Sequence, residues 1–539
     1  MFFKKQISLW SYVLGAALVL TSCSTPKRLD KLEQDVNGLL NEVQATALPA
    51  KPAEQLQLME YQPYGQGDSG GGEHEVLRLN LRSSLELAAK YSREYQTSKE
   101  TLYNSALTLK SVSHDWDWNP VNSLSALWNV KQDPSSSILS SNSSLGLKKY
   151  FLTGARLTAN IGLQTLRYFS GDRSVNLTSL ANLTVSQPLL AGYGADIARE
   201  PLTQAERNLI YALRNYVRAR EALLISIAER YYAVLNSRDA LEIGKQTYTS
   251  VASSLERSEA MAEAGRVDPF QVDQARQKVL TAESNLVSLN ENYQSALDNL
   301  KTALGLPLES TIEADPEDLA RLTAQQLATP PMDFSAAIAI ALQKRLDYAT
   351  VKDRLQDAQR QVKIAEDAMR AKLTLTAGAN AASNTGNSLR PMDFADSDYY
   401  LGLDLDLPFD RTNEAINLQR RRIALRQQQR SIDESKDIII GDLRNIWRQL
   451  KSYEQSYEIQ RISVNLAEKR VESTQLLFEG GRVDIRELLD AQDDLSSAKN
   501  SLTRALVNHR ICWLKLLYQL GELPIDPVSL WSDTLEVAG

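Results

Sequence analysis

The sequence Glu263-Ala264-Gly265-Arg266-Val267-Asp268 returns 216 residues later, with one substitution, as Glu479-Gly480-Gly481-Arg482-Val483-Asp484. In both places a long segment with apolar residues at helical spacing precedes the hexapeptide, and a shorter one follows it. Glycine permits the reversal of chain direction between two antiparallel helices, because it adopts positive φ angles without strain. The duplicated hexapeptide therefore predicts two helical hairpins.

The similarity continues outside the hexapeptides. Leu304-Gly305 matches Leu520-Gly521 at the same offset, and Ser84–Leu102 resembles Ala337–Leu355 at a larger one. The first half carries about 37 extra residues, most of them within 111–150, a segment rich in Ser, Asn and Trp. Self-similarity of this kind is typical of repeated architectures, so we expect two internal structural repeats.

Helical spacing of apolar residues extends over six segments, namely 81–110, 200–264, 268–304, 334–371, 413–479 and 484–520. At a rise of 1.5 Å per residue, the two longest would each reach about 100 Å, and two shorter ones end to end match that length. The matched lengths predict a wall of two long helices and two stacked pairs. His509 and Cys512 fall in one apolar stripe and are expected to pack in the core.

Alternation of apolar and polar residues marks four further segments, which are 157–163, 177–185, 373–379 and 399–407. Their lengths are close to the roughly 9–11 residues that a transmembrane strand needs. A soluble sheet with one wet face is the alternative. Four strands alone cannot close a barrel, so in a membrane they would need strands from other copies of the chain.

The composition excludes several classes of protein. Lys and Arg total 60 against 67 Asp and Glu, and the net charge of −7 argues against a nucleic-acid binder. Apart from His509 and Cys512, which are three residues apart, the histidines and cysteines (His74, His114 and Cys23) lie far apart, and no common zinc, haem or iron–sulfur spacing is present. We therefore expect no metal and no cofactor. Beyond the N-terminus, no apolar run reaches the roughly 18 residues of a membrane helix.

The N-terminus has the pattern of an export signal. Lys4 and Lys5 precede a short apolar stretch that ends in Leu20-Thr21-Ser22-Cys23. A basic start followed by a short apolar core is typical of a signal peptide. The final four residues resemble the bacterial lipoprotein box, which implies that Cys23 becomes the lipidated first residue of the mature chain. Ordinary cleavage beside a chance cysteine is the alternative.

These patterns divide the chain. Each predicted repeat contains a helix, two strands, a long helix and another helix. The segments are a lipoprotein signal peptide at 1–22, a lipidated tether at 23–75 with one short helix near Leu29–Glu42, repeat 1 at 76–307, a linker at 308–333, repeat 2 at 334–526 and a C-terminal tail at 527–539.

Together, these features resemble the TolC family of outer-membrane efflux channels. Besides the hexapeptides and the Leu-Gly endings, the resemblance rests on Leu488-Leu489-Asp490-Ala491-Gln492 and on the strand exits Gln187-Pro188-Leu189-Leu190 and Asp406-Leu407-Pro408-Phe409. It covers roughly 76–526. No single motif is specific, but their order, duplication and spacing together are.

The resemblance implies a mixed α and β fold, in which a long α-helical coiled-coil barrel continues into a transmembrane β-barrel. Each of three chains would contribute four strands to that barrel. The protein would then be a homotrimer of the outer membrane that extends into the periplasm. It would dock on a periplasmic membrane-fusion adaptor attached to an inner-membrane pump, and it would perform no chemistry.

In the family the two helical turns meet the adaptor. The matching residues here are Gly265, Arg266, Val267, Gly481, Arg482 and Val483. A glycine-containing turn is needed wherever two helices reverse, so a purely structural role for these residues stays open. Bridges between neighbouring helices hold family channels closed at this end, and Arg266, Arg482 and Arg486 are candidate donors.

Acidic residues ring the closed end of the family tunnel, and Glu487 and Asp490 match those positions. They are spaced i,i+3 and share one helical face, so three chains would bring six carboxylates near the axis and attract cations. Capping boxes, Asp484 with Glu487 and Asp268 with Gln271, are an alternative role for Glu487 but not for Asp490.

The first half departs from this pattern. Gln271 and Gln274 occupy the positions that match Glu487 and Asp490, and the nearest acid is Asp273. Only one of the two turns is therefore expected to be strongly acidic.

Two more acids lie in a predicted strand. Asp404 and Asp406 share a strand face opposite Leu403 and Leu405. Charged side chains in a membrane barrel are inexpensive only on the side of the aqueous lumen, so we expect both acids to face it.

Three functions compete. The leading one is a passive duct for export of small molecules through a tripartite pump. The second is the same duct serving protein or peptide secretion, which the sequence does not separate from the first. The third is a lipid-anchored coiled-coil scaffold without a pore, against which the membrane-length strands and matched helices argue. No catalytic triad, Cys-His pair or phosphate loop is present, so an enzyme is not expected.

Overall fold

The structure is a computed structural model of the chain. It describes residues 25–48, 64, 76–130, 137–168, 175–325, 327–383, 386, 397–407 and 409–526. The predicted signal peptide, the lipidation site Cys23 and the predicted tail at 527–539 lie outside the described residues. Within those residues, no helix combines the length and hydropathy that crossing a bilayer requires.

The helices and strands follow one another as the sequence predicts for most of the chain. In order, they are α1 (Thr25–Ala47), β1 (Leu77–Leu79), α2 (Leu81–Tyr91), α3 (Arg93–His114), β2 (Asn119–Val130), β3 (Ser137–Tyr150), β4 (Arg156–Tyr168), β5 (Val175–Pro188), α4 (Ala195–Ala198), α5 (Glu200–Glu263), α6 (Pro269–Leu304), β6 (Ile312–Ala314), α7 (Glu317–Ala324), α8 (Phe334–Lys344), α9 (Leu346–Asp367), β7 (Lys372–Ala382), β8 (Asp398–Asp406), α10 (Thr412–Glu479) and α11 (Ile485–Leu520).

The chain divides into two compact units. One consists of Met1–Leu48, Leu102–Leu213 and Val351–Ser431, and the other of Pro49–Thr101, Arg214–Thr350 and Ile432–Gly539. The first unit holds the large sheet and the second holds both hexapeptide turns.

The first unit contains one antiparallel sheet of six strands in the order β2-β3-β4-β5-β7-β8. The prediction of four strands per chain is therefore wrong. The four predicted strands are present as β4, β5, β7 and β8, and the additional pair, β2 and β3, occupies most of the extra segment at 111–150. Residues 119–130 and 137–150, for which the sequence predicts no strand, thus extend the sheet.

Strands β2 and β3 were not predicted from the sequence, because apolar and polar residues alternate only imperfectly along them. Val121 and Leu127 lie on the face that is otherwise polar, whereas Ser141 and Ser143 lie on the face that is otherwise apolar. A pattern-based search depends on a clean period of two, which these exceptions interrupt.

Across all six strands, one face of the sheet is mainly apolar and the other mainly polar. Residues paired across strands share a face, so the register identifies each set. The apolar face includes Leu124, Trp128, Leu145, Ile161, Leu183, Val185, Leu401 and Leu403. All eight are exposed, and so broad an apolar surface is rare on a soluble protein.

The N-terminal helix α1 also belongs to the first unit. It is longer than the short helix expected near Leu29–Glu42, and Val36 and Leu40 are buried. Asp35 forms an ion pair with Lys110 of α3 at 3.1 Å. This part of the predicted tether therefore packs as a helix.

In the second unit, two helices that the sequence predicts as continuous are interrupted at a single residue. Ser92 separates α2 from α3, with φ −64° and ψ 122°. Arg345 separates α8 from α9, with φ −66° and ψ 121°. The interruption has the same extended geometry in both halves of the chain.

The Leu-Gly endings pack against these interruptions. Gly305 and Gly521 end α6 and α11 in the left-handed conformation, with φ 77° and 73°. A Cβ atom on Gly305 would lie 2.1 Å from the carbonyl oxygen of Tyr91. One on Gly521 would lie 3.2 Å from the backbone of Lys344. Glycine is thus required for both its φ angle and its small size.

The apolar stripes predicted on the helices form the core of the second unit. Leu443, Ile446 and Leu450 of α10 pack with Cys512 of α11 and Ala341 of α8. Cys512 donates its thiol hydrogen to the carbonyl of Ile446, 3.5 Å away, and burial raises its pKa to about 11.

His509 is buried as expected, with 2% of its surface exposed. Burial, with the nearby positive charge of Arg510, lowers its pKa to about 4. The imidazole is therefore neutral in the folded protein near pH 7.

The predicted linker at 308–333 is structured. Its Ile312–Ala314 pairs in parallel with Leu77–Leu79 to form a two-stranded sheet. Helix α7 follows, and Asp318 of this helix accepts a hydrogen bond from the hydroxyl of Tyr231. These segments are distant in sequence, and the linker joins them in the second unit.

Candidate functional site: the two helical turns

The two hexapeptide turns share one backbone geometry. Gly265 and Gly481 have φ 70° and 65°, and no described atom lies within 4 Å of a Cβ built on either. The amide of Arg266 donates to the carbonyl of Met261 at 2.9 Å, and that of Arg482 donates to Leu477 at 2.9 Å. Both turns are glycine C-caps with the bond pattern of a Schellman motif.

The residues that begin the following helices differ between the turns. The Asp268 carboxylate accepts from the amide of Phe270 at 2.9 Å and caps α6. Asp484 makes no such bond and instead accepts from the side chain of Gln271 at 3.1 Å. The predicted capping boxes are therefore not formed, since the Gln271 side chain reaches the other hairpin rather than its own N-cap.

Further contacts join the two hairpins. Arg257 of α5 forms an ion pair with Glu479 of α10 at 2.9 Å. The Gln492 amide donates to the buried Ser254 hydroxyl at 3.2 Å, and Lys278 pairs with Asp493. None of these pairs is predicted from the sequence, although the opposite charges of Lys278 and the acidic segment Asp493-Asp494 are a signal that favours one of them.

An apolar cluster lies between the hairpins. Phe478, Ile485, Leu488 and Leu489 of the second hairpin are buried with Val251 and Ala275 of the first. Val483, one of the six residues predicted to contact the adaptor, packs against this cluster and is half-buried. Of the other five, Val267 is also half-buried, whereas the two glycines and two arginines are exposed.

The predicted constriction residues are mostly exposed. Glu487, Asp490 and Asp273 are exposed, whereas Gln271 and Gln274 are half-buried. Because Leu488 and Leu489 fix the buried side of α11, Glu487 and Asp490 point away from the core of this chain. Glu487 and Asp490 thus face outward in the first turns of α11, just after the second glycine turn. The matching positions in α6 carry the amides of Gln271 and Gln274.

The three predicted gate arginines differ in their contacts. The Nε atom of Arg486 lies 4.0 Å from a carboxylate oxygen of Asp490 on the same helix. Among the described residues, Arg266 and Arg482 form no ion pair, and both side chains are exposed. An exposed pair at 4.0 Å contributes little to stability, so no strong partner within the described part of the chain neutralises Asp490.

The predicted lumen residues lie on the polar face of the sheet. Asp404 is opposite Thr374 and Asp406 is opposite Lys372, while Leu403 and Leu405 occupy the apolar face. The side-chain assignment predicted from the alternation in β8 thus agrees with the register.

Comparison with known proteins shows which family part of the chain matches. The family described as "Outer membrane efflux protein" matches residues 156–306, which run from β4 through the first turn to the end of α6. The chain is therefore similar to outer-membrane efflux proteins of the TolC type. The prediction of the family from the duplicated turns and the Leu-Gly endings is confirmed.

Other proteins and solved structures extend the similarity over most of the chain. The alkaline protease secretion protein AprF of Pseudomonas aeruginosa is 21% identical over 360 residues, which are 66% of this chain and 72% of AprF. The outer membrane protein TolC of Salmonella enteritidis is 23% identical over 330 residues, 59% of this chain and 65% of TolC. The fold resembles the CmeC outer membrane channel of Campylobacter jejuni, with a TM-score of 0.61, 14% identity and coverage of 86% of this chain and 93% of CmeC.

Proposed function

We propose that this protein is a passive export duct of the bacterial outer membrane, working as a homotrimer with a periplasmic adaptor and an inner-membrane pump. In this proposal small molecules move outward through a β-barrel and a coiled-coil tunnel formed by all three chains. The chain itself performs no chemistry. The match of residues 156–306 to the efflux family supports this class of function.

The observation that carries the proposal is the two-sided sheet. Its strands are 9 to 14 residues long, which is enough to cross a bilayer. Its apolar face is exposed, and the opposite face carries Ser, Thr, Asn, Lys and Asp side chains. Apolar residues outside and polar residues inside are typical of a barrel that encloses water in a membrane.

Exposed apolar side chains on the helices support assembly into a trimer. Ile459, Ile462 and Leu466 of α10 are spaced by three and four residues, and each is about 60% exposed. Leu280 and Val287 of α6 are seven residues apart and similarly exposed. Stripes of this kind are typical of helices that pack against other helices in a coiled coil.

Within the trimer, we assign the acidic constriction to Glu487 and Asp490, with Asp273, Gln271 and Gln274 as the less acidic counterpart. The turns would contact the adaptor, and Arg266, Arg482 and Arg486 would bridge neighbouring helices when the duct is closed. The two halves, with their matching turns and Leu-Gly endings, would be structural repeats. A lipid on Cys23 would add a second attachment to the outer membrane.

Single-channel recording in planar bilayers tests the duct. The purified trimer should give discrete cation-selective steps, and Asp490→Asn with Glu487→Gln should reduce the selectivity for K⁺ over Cl⁻ at least twofold, because two carboxylates per chain are removed from the constriction. Adding a carboxylate at the matching position, Gln274→Asp, should increase it.

Glu291→Gln is the matched control, since it removes an exposed carboxylate of α6 far along the helix from the turn. This variant should leave selectivity unchanged. A folded trimer in which the native chain and all three variants show the same selectivity would rule out the acidic constriction. A purified protein that neither forms trimers nor conducts would rule out the duct and favour the scaffold.

Protein secretion is the second candidate. The relative AprF is described as an alkaline protease secretion protein, and this is the observation that favours it. Deleting the gene and assaying the growth medium for secreted proteins, and the cells for sensitivity to toxic small molecules, separates the two cargos. Loss of one exported protein without any change in sensitivity would favour secretion.

A further inference from the structure

The large sheet ends in two exposed edge strands. β2 and β8 are the first and last strands of the sheet, and they do not pair with each other within the chain. Every residue of β8 is exposed, and so is each residue of β2 from Pro120 to Asn129. An edge strand leaves a row of backbone N–H and C=O groups without partners, which invites pairing with another strand.

The added strands β2 and β3 continue the membrane face of the sheet. The register places Trp128 of β2 beside Leu139 of β3, and Leu145 of β3 beside Ile161 of β4. Trp128, Leu145 and Ile161 are each about 60% to 70% exposed on this one face. The paired length of β3 and β4 runs from Ile138 to Tyr150, so β3 spans the same apolar band as β4.

The opposite face of the added strands is polar, like the rest of that face. Ser123 lies beside Ser144 with their hydroxyls 2.7 Å apart, and Ser125 lies beside Asn142. Both faces of the pair therefore match the faces of the other four strands. This match argues that β2 and β3 are wall strands rather than a hairpin folded into the lumen.

In a bilayer, the free edges of the sheet must find partners, because no water is available to satisfy their backbone groups. Neighbouring strands of the six-stranded sheet are antiparallel throughout, so β2 and β8 run in opposite directions. A second copy of the chain can therefore place its β2 beside β8 and continue the antiparallel order. The same step repeated around a ring leaves no edge.

We infer that β8 of each copy pairs with β2 of the next, so that three copies close a barrel of eighteen strands instead of the twelve that four strands per chain would give. This inference rests on the proposed trimeric duct. The recognised partner is a second copy of this chain, and the surface is formed by the backbone edges of Asn119–Val130 and Asp398–Asp406.

Eighteen strands would make a distinctly wider opening. With strands about 4.8 Å apart and tilted by about 40°, the backbone diameter is about 36 Å for eighteen strands and about 24 Å for twelve. Barrels of 16–18 strands leave an aqueous channel, so the outer-membrane segment would not be the narrowest part of the duct.

Cysteine cross-linking tests the pairing between copies. Ser123→Cys on the polar face of β2 is combined in turn with Gly402→Cys, Asp404→Cys and Asp406→Cys on the polar face of β8. Oxidation of the membrane-embedded protein should give covalent dimers and trimers on a denaturing gel for at least one combination, because paired strands bring Cα atoms within disulfide range. The native Cys512 can stay, since it is buried.

Ser123→Cys with Leu403→Cys is the matched control, because Leu403 is adjacent in β8 but lies on the opposite face. It should give no cross-linked product, and neither should the single-cysteine variants. Electron cryomicroscopy of the purified trimer should show a barrel about 36 Å wide. A variant lacking residues 119–150 should give one narrower by about one third.

The outcomes separate the inference from the proposed function. A conducting trimer with a barrel about 24 Å wide and no β2–β8 cross-link would overturn the inference and leave the duct intact. A monomer without conductance would overturn both. A deletion variant that fails to fold would not affect the cross-linking result, which uses the full chain.

Discussion

The two halves of the chain share the order and the turns of their helices but differ in their strands and charged side chains. Each has a broken helix, a long helix that ends in a glycine turn, and a following helix that ends in Leu-Gly against the break. The first half contributes four strands to the large sheet and the second contributes two. The two halves therefore have the same geometry at the positions where the backbone requires glycine. They differ in the number of strands and in their charged side chains.

The charges differ most at the turns. Where the first half has Gln271 and Gln274, the second has Glu487 and Asp490. In the first half, the Asp268 side chain caps the start of α6. In the second half, the Asp484 side chain does not cap α11 and instead accepts a hydrogen bond from Gln271 of the other hairpin. The first half therefore supplies the amide of Gln271, and the second half supplies the Asp484 carboxylate that accepts its hydrogen bond. This bond joins the two hairpins.

The largest expected difference between the halves concerns the Leu-Gly endings. Gly305→Ala should lower the free energy of unfolding by at least about 3 kcal/mol, because the new Cβ meets the Tyr91 carbonyl at 2.1 Å and the φ angle is strained as well. Gly521→Ala should cost about 1–2 kcal/mol, since its closest contact is 3.2 Å. Urea midpoints of the detergent-solubilised protein, followed by helical circular dichroism, measure both.

Gly265→Ala is the control for backbone strain alone, with φ 70° and open space around it, and should cost about 1 kcal/mol. Equal losses for Gly305→Ala and Gly521→Ala would show that the close approach to Tyr91 relaxes without cost. The two breaks would then be equivalent in energy as well as in geometry.

A second difference concerns acid stability, because the position that matches His509 in the first half is Tyr293. The folded pKa of His509, about 4, lies below its ordinary value of 6.5. Its contribution to stability is therefore complete above pH 6.5 and is lost as the pH falls towards 4, by about 2.5 kcal/mol at pH 4.5. His509→Gln should remove this part of the pH dependence.

The measurement is the urea midpoint at pH 7.5 and pH 4.5, compared between the native chain and His509→Gln. Tyr293→Phe serves as the control and should leave the difference between the two pH values unchanged. If His509→Gln shows the full native loss at pH 4.5, the histidine does not account for it and carboxylates dominate the acid response.

The smallest effect distinguishes the two helix starts. Asp268→Ala should cost about 1 kcal/mol, because it removes a carboxylate that caps the amide of Phe270. Asp484→Ala should cost only a few tenths of a kcal/mol, since it loses one exposed bond from Gln271. The same urea midpoints measure both variants, and a larger loss for Asp484→Ala would mean that the contact between hairpins outweighs the cap.

Much of the helical structure could be predicted because its signals are local. The long helices end at Glu263 and Glu479, within one residue of the sequence-based limits, since the glycine turn stops a helix wherever it occurs. The breaks at Ser92 and Arg345 could not be predicted, because neither residue interrupts the apolar pattern. Their cause is the helix end that packs against each of them.

The candidate site was predicted in part for the same reason. The positions of Glu487 and Asp490 on one exposed helical face follow from the spacing of Leu488 and Ala491. The hydrogen bond from the Gln271 side chain to Asp484 could not be predicted, because its acceptor lies 213 positions away in the sequence. A local rule favoured the capping box, and a contact between hairpins replaced it.

The sequence alone determined the helical hairpins, the membrane-length alternation in four strands and the duplication, because each is set by periodicity or by glycine within a short window. Only the tertiary structure decided that 119–150 adds two strands to the sheet and that Leu77–Leu79 pairs with Ile312–Ala314. The reason is physical. Strand pairing and close packing are satisfied by residues distant along the chain, so no local window contains both partners.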